Sequence, residues 1–116
     1  MPDLSPEALD RAKLTQRAAA VFGEHADAIA NSVDGLPAEH VSVAVVNAEF
    51  EFLGTHRVAH AQLVERVPAL EGEGGWAMVF SHAADAEHVR TRAEEMASLA
   101  AQRAAAIERI ANRPPT

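Results

Sequence analysis

Apolar residues recur at helical spacing over three long stretches, and glycine and proline mark the breaks between them. In the first stretch Ala8, Ala12, Thr15, Ala19, Phe22, Ala26, Ile29 and Val33 fall on one stripe of small and apolar residues. Ser5 is a good N-cap, Pro6 sits at the first helical position and Glu7 follows in the first turn. Asp34-Gly35 supplies the stop. These signals predict a helix over 6–32, loosened near Phe22 by Gly23. In the last stretch Val79, Ala83, Ala86, Val89, Ala93, Met96, Ala100, Ile107 and Ile110 share a stripe. They predict a helix over 76–113, ended by Pro114-Pro115. The segment 68–75, PALEGEGG, holds three Gly and a Pro and reads as an acidic, glycine-rich loop.

The middle stretch, 38–67, supports two readings. Val43, Val46, Phe50, Leu53, His60 and Val64 form a helical stripe, Pro37 suits a first turn, and Glu39 favours the N-terminal end of the helix dipole. Against this, the stretch holds seven of the eleven Val. Val41, Val43, Val45 and Val46, followed by the alternation Glu49-Phe50-Glu51-Phe52, suit strands. Asn47-Ala48 is not the Asn-Gly pair of a two-residue hairpin turn. The expected fold is therefore all-α, an antiparallel bundle of three long helices over 6–32, 38–67 and 76–113. The alternative is an α+β domain with a β-hairpin around 41–53.

Composition narrows what such a domain can do. The chain of 116 residues is long enough for one domain and one core. Alanine supplies 26 residues, so helices approach closely and bury little volume. There is no Cys, which excludes disulfides, thiolate zinc sites and thiol nucleophiles. The net charge is −7, all of it carried by residues 1–73. That balance argues against nucleic acid and anionic membrane as partners. No membrane span and no cleaved signal peptide are readable, so the expected location is cytoplasmic, with export lacking a cleaved signal as the alternative.

Histidine offers the only candidate chemistry. His56 and His60, four apart on a helix, would project from one face at a spacing able to chelate a divalent transition metal. Glu49 lies on that face, and His82 could face it from the third helix. The ordinary reading of these four is polar residues at the edges of apolar stripes. The glycines of 72–75 lack the Lys-Ser/Thr of a phosphate loop, and no catalytic arrangement is readable among the serines.

Pro6-Glu7-Ala8-Leu9, the turn Leu36-Pro37-Ala38 followed by Val41-Ser42-Val43, and Trp76 at a helix–helix turn together resemble the small helical proteins of actinobacterial type VII (ESX) secretion systems, of the PE and WXG kinds. The resemblance covers residues 6–67 and implies a helical hairpin that works as a substrate or partner in secretion. Trp76-Ala77-Met78 has no glycine at the third position of the Trp-x-Gly turn, and without Tyr the export signal of that family is absent.

The functional expectation is a non-enzymatic helical interaction protein without a cofactor, paired with itself or with another protein. The expected interface uses Trp76, Phe80, Met96, Leu99, Ile107 and Ile110. The alternative is a metal-binding bundle using His56 and His60.

Overall fold

The computed structural model describes residues 6–82 and 84–111. It corrects the all-α expectation. The chain forms α1 (Pro6–Glu24), α2 (Ala26–Ser32), β1 (His40–Val46), β2 (Phe52–Ala59), a 3-10 turn (His60–Gln62), α3 (Leu63–Glu71), β3 (Trp76–Phe80) and α4 (Ala86–Ala111). The three strands make one antiparallel sheet in the order β2-β1-β3. The fold is α+β in three layers, with α1, α2 and α4 on one face of the sheet and α3 on the other. The Ser5 cap, Ala83 of the last stripe and the Arg113–Pro115 stop lie outside the described residues.

The physical reason for the correction is the position of β1. It is the central strand, and Val41 to Val46 are buried without a break. A strand covered on both faces shows an apolar run, which periodicity alone does not separate from a helix. β-branched side chains then favour the extended form. Ala44 and Val46 enter the core under the helices, whereas Val41, Val43 and Val45 enter the core under α3. Ser42, the one buried polar residue among those described, bonds to Ser32 at 2.6 Å. Ser32 gives its own hydroxyl proton to the Ile29 carbonyl, so Ser42 is the donor.

The hairpin turn also differs from the sequence pattern. Asn47 does the work expected of Asn-Gly. Its Oδ1 accepts the N–H groups of Glu49 and Glu51 at 3.0 and 2.9 Å. Phe50 takes a left-handed φ of 63°, held by stacking on Trp76 at 5.6 Å and by the Arg17 guanidinium 4.3 Å from its ring. In β2, three steps from Phe52 to Thr55 oppose two from Val46 to Ala44, a bulge at Leu53-Gly54 where Gly54 has φ 93°.

The predicted first helix breaks at His25, whose ring stacks on Phe52 at 4.3 Å. Pro68 lies inside α3, so the glycine loop shortens to 72–75. The predicted third helix begins ten residues late, at Ala86 rather than Trp76. Before it, Trp76, Met78 and Phe80 point alternately into the helical core as β3. Asp85 Oδ1 accepts the His88 N–H at 2.7 Å and starts α4.

Candidate functional site

α1 and α4 pack antiparallel along an alanine seam. Gly23 faces Ala93 at one end, and Lys13 reaches Glu108 toward the other at 3.3 Å. The helices outrun the sheet: the molecule is 59 Å long but only 28 and 23 Å across. Ala8, Ala12, Ala100, Ala104 and Ile107 are buried yet belong to neither core beside the sheet. Among the described residues they lie along the contact between α1 and α4. This part of α1 and α4 is a two-helix stem.

The sheet is fastened to the stem by arginines. In an antiparallel ladder alternate residues turn their backbone groups outward. In the β1–β3 register Val45 and Val43 stand opposite Ala77 and Val79, and the bond from Arg92 to the Val79 carbonyl marks this set, with Gly75 just before the strand, as the one turned to the free edge. Arg11 donates to the Gly74 and Gly75 carbonyls at 2.9 and 2.6 Å and lies 4.0 Å over the Trp76 ring. Trp76 Nε1 donates to Thr15 Oγ1 at 3.0 Å, and Thr15 donates in turn to the Arg11 carbonyl. At the other end of the strand Arg92 donates to the Val79 carbonyl and stacks on Phe80. The Val79 carbonyl and the Gly75 carbonyl just before β3 are thereby capped from the helices, which obstructs pairing at the two ends of that edge.

Beyond Arg11 the sheet stops and the stem continues. The α4 face that carries Arg92 onto the sheet passes, at helical spacing, through Met96, Leu99, Arg103 and Ile110. Between this face and α1 runs a groove of about 470 Å3. Its floor is Ala8, Ala12 and Ala100, and its rim includes Glu7, Arg11, Leu99 and Arg103. Leu99 is 66% exposed and Ile110 48% exposed. A second trough of about 420 Å3 lies over Ala19, Gly23 and Ala93 and is rimmed by the charged Glu24, Arg90 and Glu94. Small seam residues leave a furrow beside the closely packed helices, and of these two furrows the first has a large exposed apolar side chain, Leu99, on its wall.

Charge separates the stem from the rest of the chain. In α1, Glu7, Asp10 and Glu24 balance Arg11, Lys13 and Arg17. In α4, Glu87, Glu94, Glu95 and Glu108 balance Arg90, Arg92, Arg103 and Arg109. The net −7 therefore falls entirely outside these two helices.

Of the residues expected at an interface, Trp76, Phe80 and Ile107 are buried within the chain, Met96 is half-buried, and Leu99 and Ile110 are exposed. The structure brings Met96, Leu99 and Ile110 onto one face, and assigns Trp76 and Phe80 to β3. Arg11 and Arg103 were missed. Arg11 binds residues more than sixty positions away, for which the sequence holds no local signal.

The expected metal ligands are not gathered. His56 pairs with Val43 in the β1–β2 ladder, His60 begins the 3-10 turn beyond β2, and Glu49 lies in the hairpin turn at the opposite end of β2. His82 bonds to the Leu36 carbonyl at 3.0 Å. Among the described residues no three His, Asp or Glu side chains come together in a way that could hold a metal ion. No helix among them is long and apolar enough to cross a membrane.

The fold and the groove define a small three-layer α+β domain with a projecting helical stem. Comparison with protein-family models, characterised proteins and solved structures found no match. Of the residues that carry the type VII resemblance, Pro6 opens a helix, whereas Val41, Ser42, Val43 and Trp76 lie in strands.

Proposed function

We propose that this chain is a protein-interaction module whose docking element is the α1/α4 stem. The observation that carries the reading is the pairing of a seam of small residues and Ile107 with a groove wall that leaves Leu99 in water and, further along the same face of α4, an exposed Ile110. Two helices expose an apolar flank that a further helix would cover, and antiparallel helices with such flanks complete themselves by packing side by side. The occupant that suits the groove is an apolar helical surface.

The test is a photo-crosslinking residue at Leu99 in the full chain, expressed in its native cells. Val64, 88% exposed on α3 and remote from the stem, serves as the control position. Adducts are expected from position 99 and not from 64. Equal yields from both positions, or none from 99, would end the reading.

A further inference from the structure

We infer that the occupant of the groove is a second copy of this chain, packed through antiparallel α4 helices so that Leu99 of each copy meets Ile110 of the other. The inference rests on the interaction reading above. Three observations select a second copy over an unrelated helix.

The first is charge. A chain of net charge −7 repels itself over most of its surface, but α1 and α4 are neutral. The stem is where two copies approach without that repulsion, and a two-fold arrangement directs both acidic sheet ends outward.

The second is spacing. Met96, Leu99, Arg103, Ala106 and Ile110 are three, four, three and four apart, the repeat of a helix–helix seam. Reversing α4 about a two-fold axis between Ala104 and Ala105 sets Leu99 opposite Ile110 and Arg103 opposite Ala106, each twice. The two exposed large residues satisfy one another, and the small Ala106 makes room for the arginine stem.

The third is the groove rim. Glu7 and Arg103 line it with opposite charges, and neither joins an ion pair among the described residues. A helical side chain leans toward its own N-terminus. In the antiparallel pair Arg103 of one copy therefore leans toward the stem end where Glu7 of the other stands.

The contact is modest. From Leu99 to Ile110 the face is about 17 Å long at 1.5 Å per residue, and two helices make it about 20 Å wide. That is about 340 Å2 per copy, or roughly 700 Å2 in total, below the standard size of specific interfaces and in the range of weak, transient contacts, so dissociation at about 100 μM is expected.

Sedimentation equilibrium of the full chain around that concentration measures the association. Glu7→Arg and Arg103→Glu should each weaken it at least about fivefold, and the double exchange should restore it. The absence of native Cys allows a cleaner geometric test. Mild oxidation of a Leu99→Cys, Ile110→Cys double variant should give a closed covalent dimer. Either single variant should stay monomeric, because like positions then lie roughly 16 Å apart. Efficient bridging by a single variant, or a ladder of higher oligomers from the double variant, overturns the antiparallel two-fold arrangement. A monomer at 500 μM overturns the second copy altogether. In that case an adduct from position 99 containing a different protein leaves the interaction reading standing, and the absence of any adduct removes both.

Discussion

Replacing Arg11 by alanine should loosen the sheet from the stem. Arg11 donates two hydrogen bonds, to the Gly74 and Gly75 carbonyls, and covers the Trp76 ring at 4.0 Å. A bond from a charged donor contributes about 1.5–3 kcal/mol when its loss leaves a buried acceptor unpaired. Gly74 is exposed and water can replace the guanidinium there, whereas Gly75 is buried. The two bonds together are therefore worth about 2 kcal/mol. The ring contact adds about 0.5–1 kcal/mol. The expected loss is about 2.5–3 kcal/mol, or roughly 8–12 °C in Tm for a chain of this size. Arg11→Lys keeps the charge but not the planar fork, and should lose about half as much. Arg103→Ala is the control, because Arg103 is exposed and should move stability by no more than about 0.5 kcal/mol. Urea unfolding followed by circular dichroism gives all three values. A loss for Arg11→Ala no larger than that for Arg103→Ala would refute the assignment of Arg11 as the clamp.

The buried and exposed faces of α4 should respond in opposite ways. Ile107 is 4% exposed, so Ile107→Asp places an unpaired charge in the seam and should cost several kcal/mol. A Leu99→Asp, Ile110→Asp pair on the exposed face should leave the melting temperature within a few degrees while abolishing association. Equal destabilisation by both changes would place Leu99 and Ile110 in the core. Gly75 marks a close approach, since an added Cβ would overlap the Glu71 carbonyl and lie 2.9 Å from the Val46 carbonyl. Gly75→Ala should cost at least about 2 kcal/mol in the same unfolding assay, whereas Gly72→Ala meets no neighbouring atom and is strained only through its positive φ.

Much of the local structure was legible from residues alone. Pro6 opens α1, Asp34-Gly35 follows the end of α2, and Gly72–Gly75 form the connection before β3. The stripe from Val89 through Ala93 and Ala100 to Ile107 does form the buried side of α4. Ile110, expected on that same stripe, is instead 48% exposed. The legible features depend on neighbours within about one turn to three, where side-chain chemistry and 3.6-residue geometry are enough.

What only the tertiary structure decided depends on distant pairing. Val41–Val46 satisfies both periods, and it becomes a strand because β2 and β3 bond to its two edges while helices cover both faces. Trp76–Phe80 continues a plausible helical stripe, yet its alternating burial exists only against the sheet partner Ser42–Val46. The metal expectation placed His56 and His60 one helical turn apart. In the extended chain four residues span roughly 13 Å instead. The groove was illegible for the same reason. Whether Leu99 is buried or exposed depends on where the sheet ends beneath α4, and Arg11 sets that limit through carbonyls more than sixty residues away. Local spacing places a side chain on a face of its own element, but only the packing of the elements determines what that face meets.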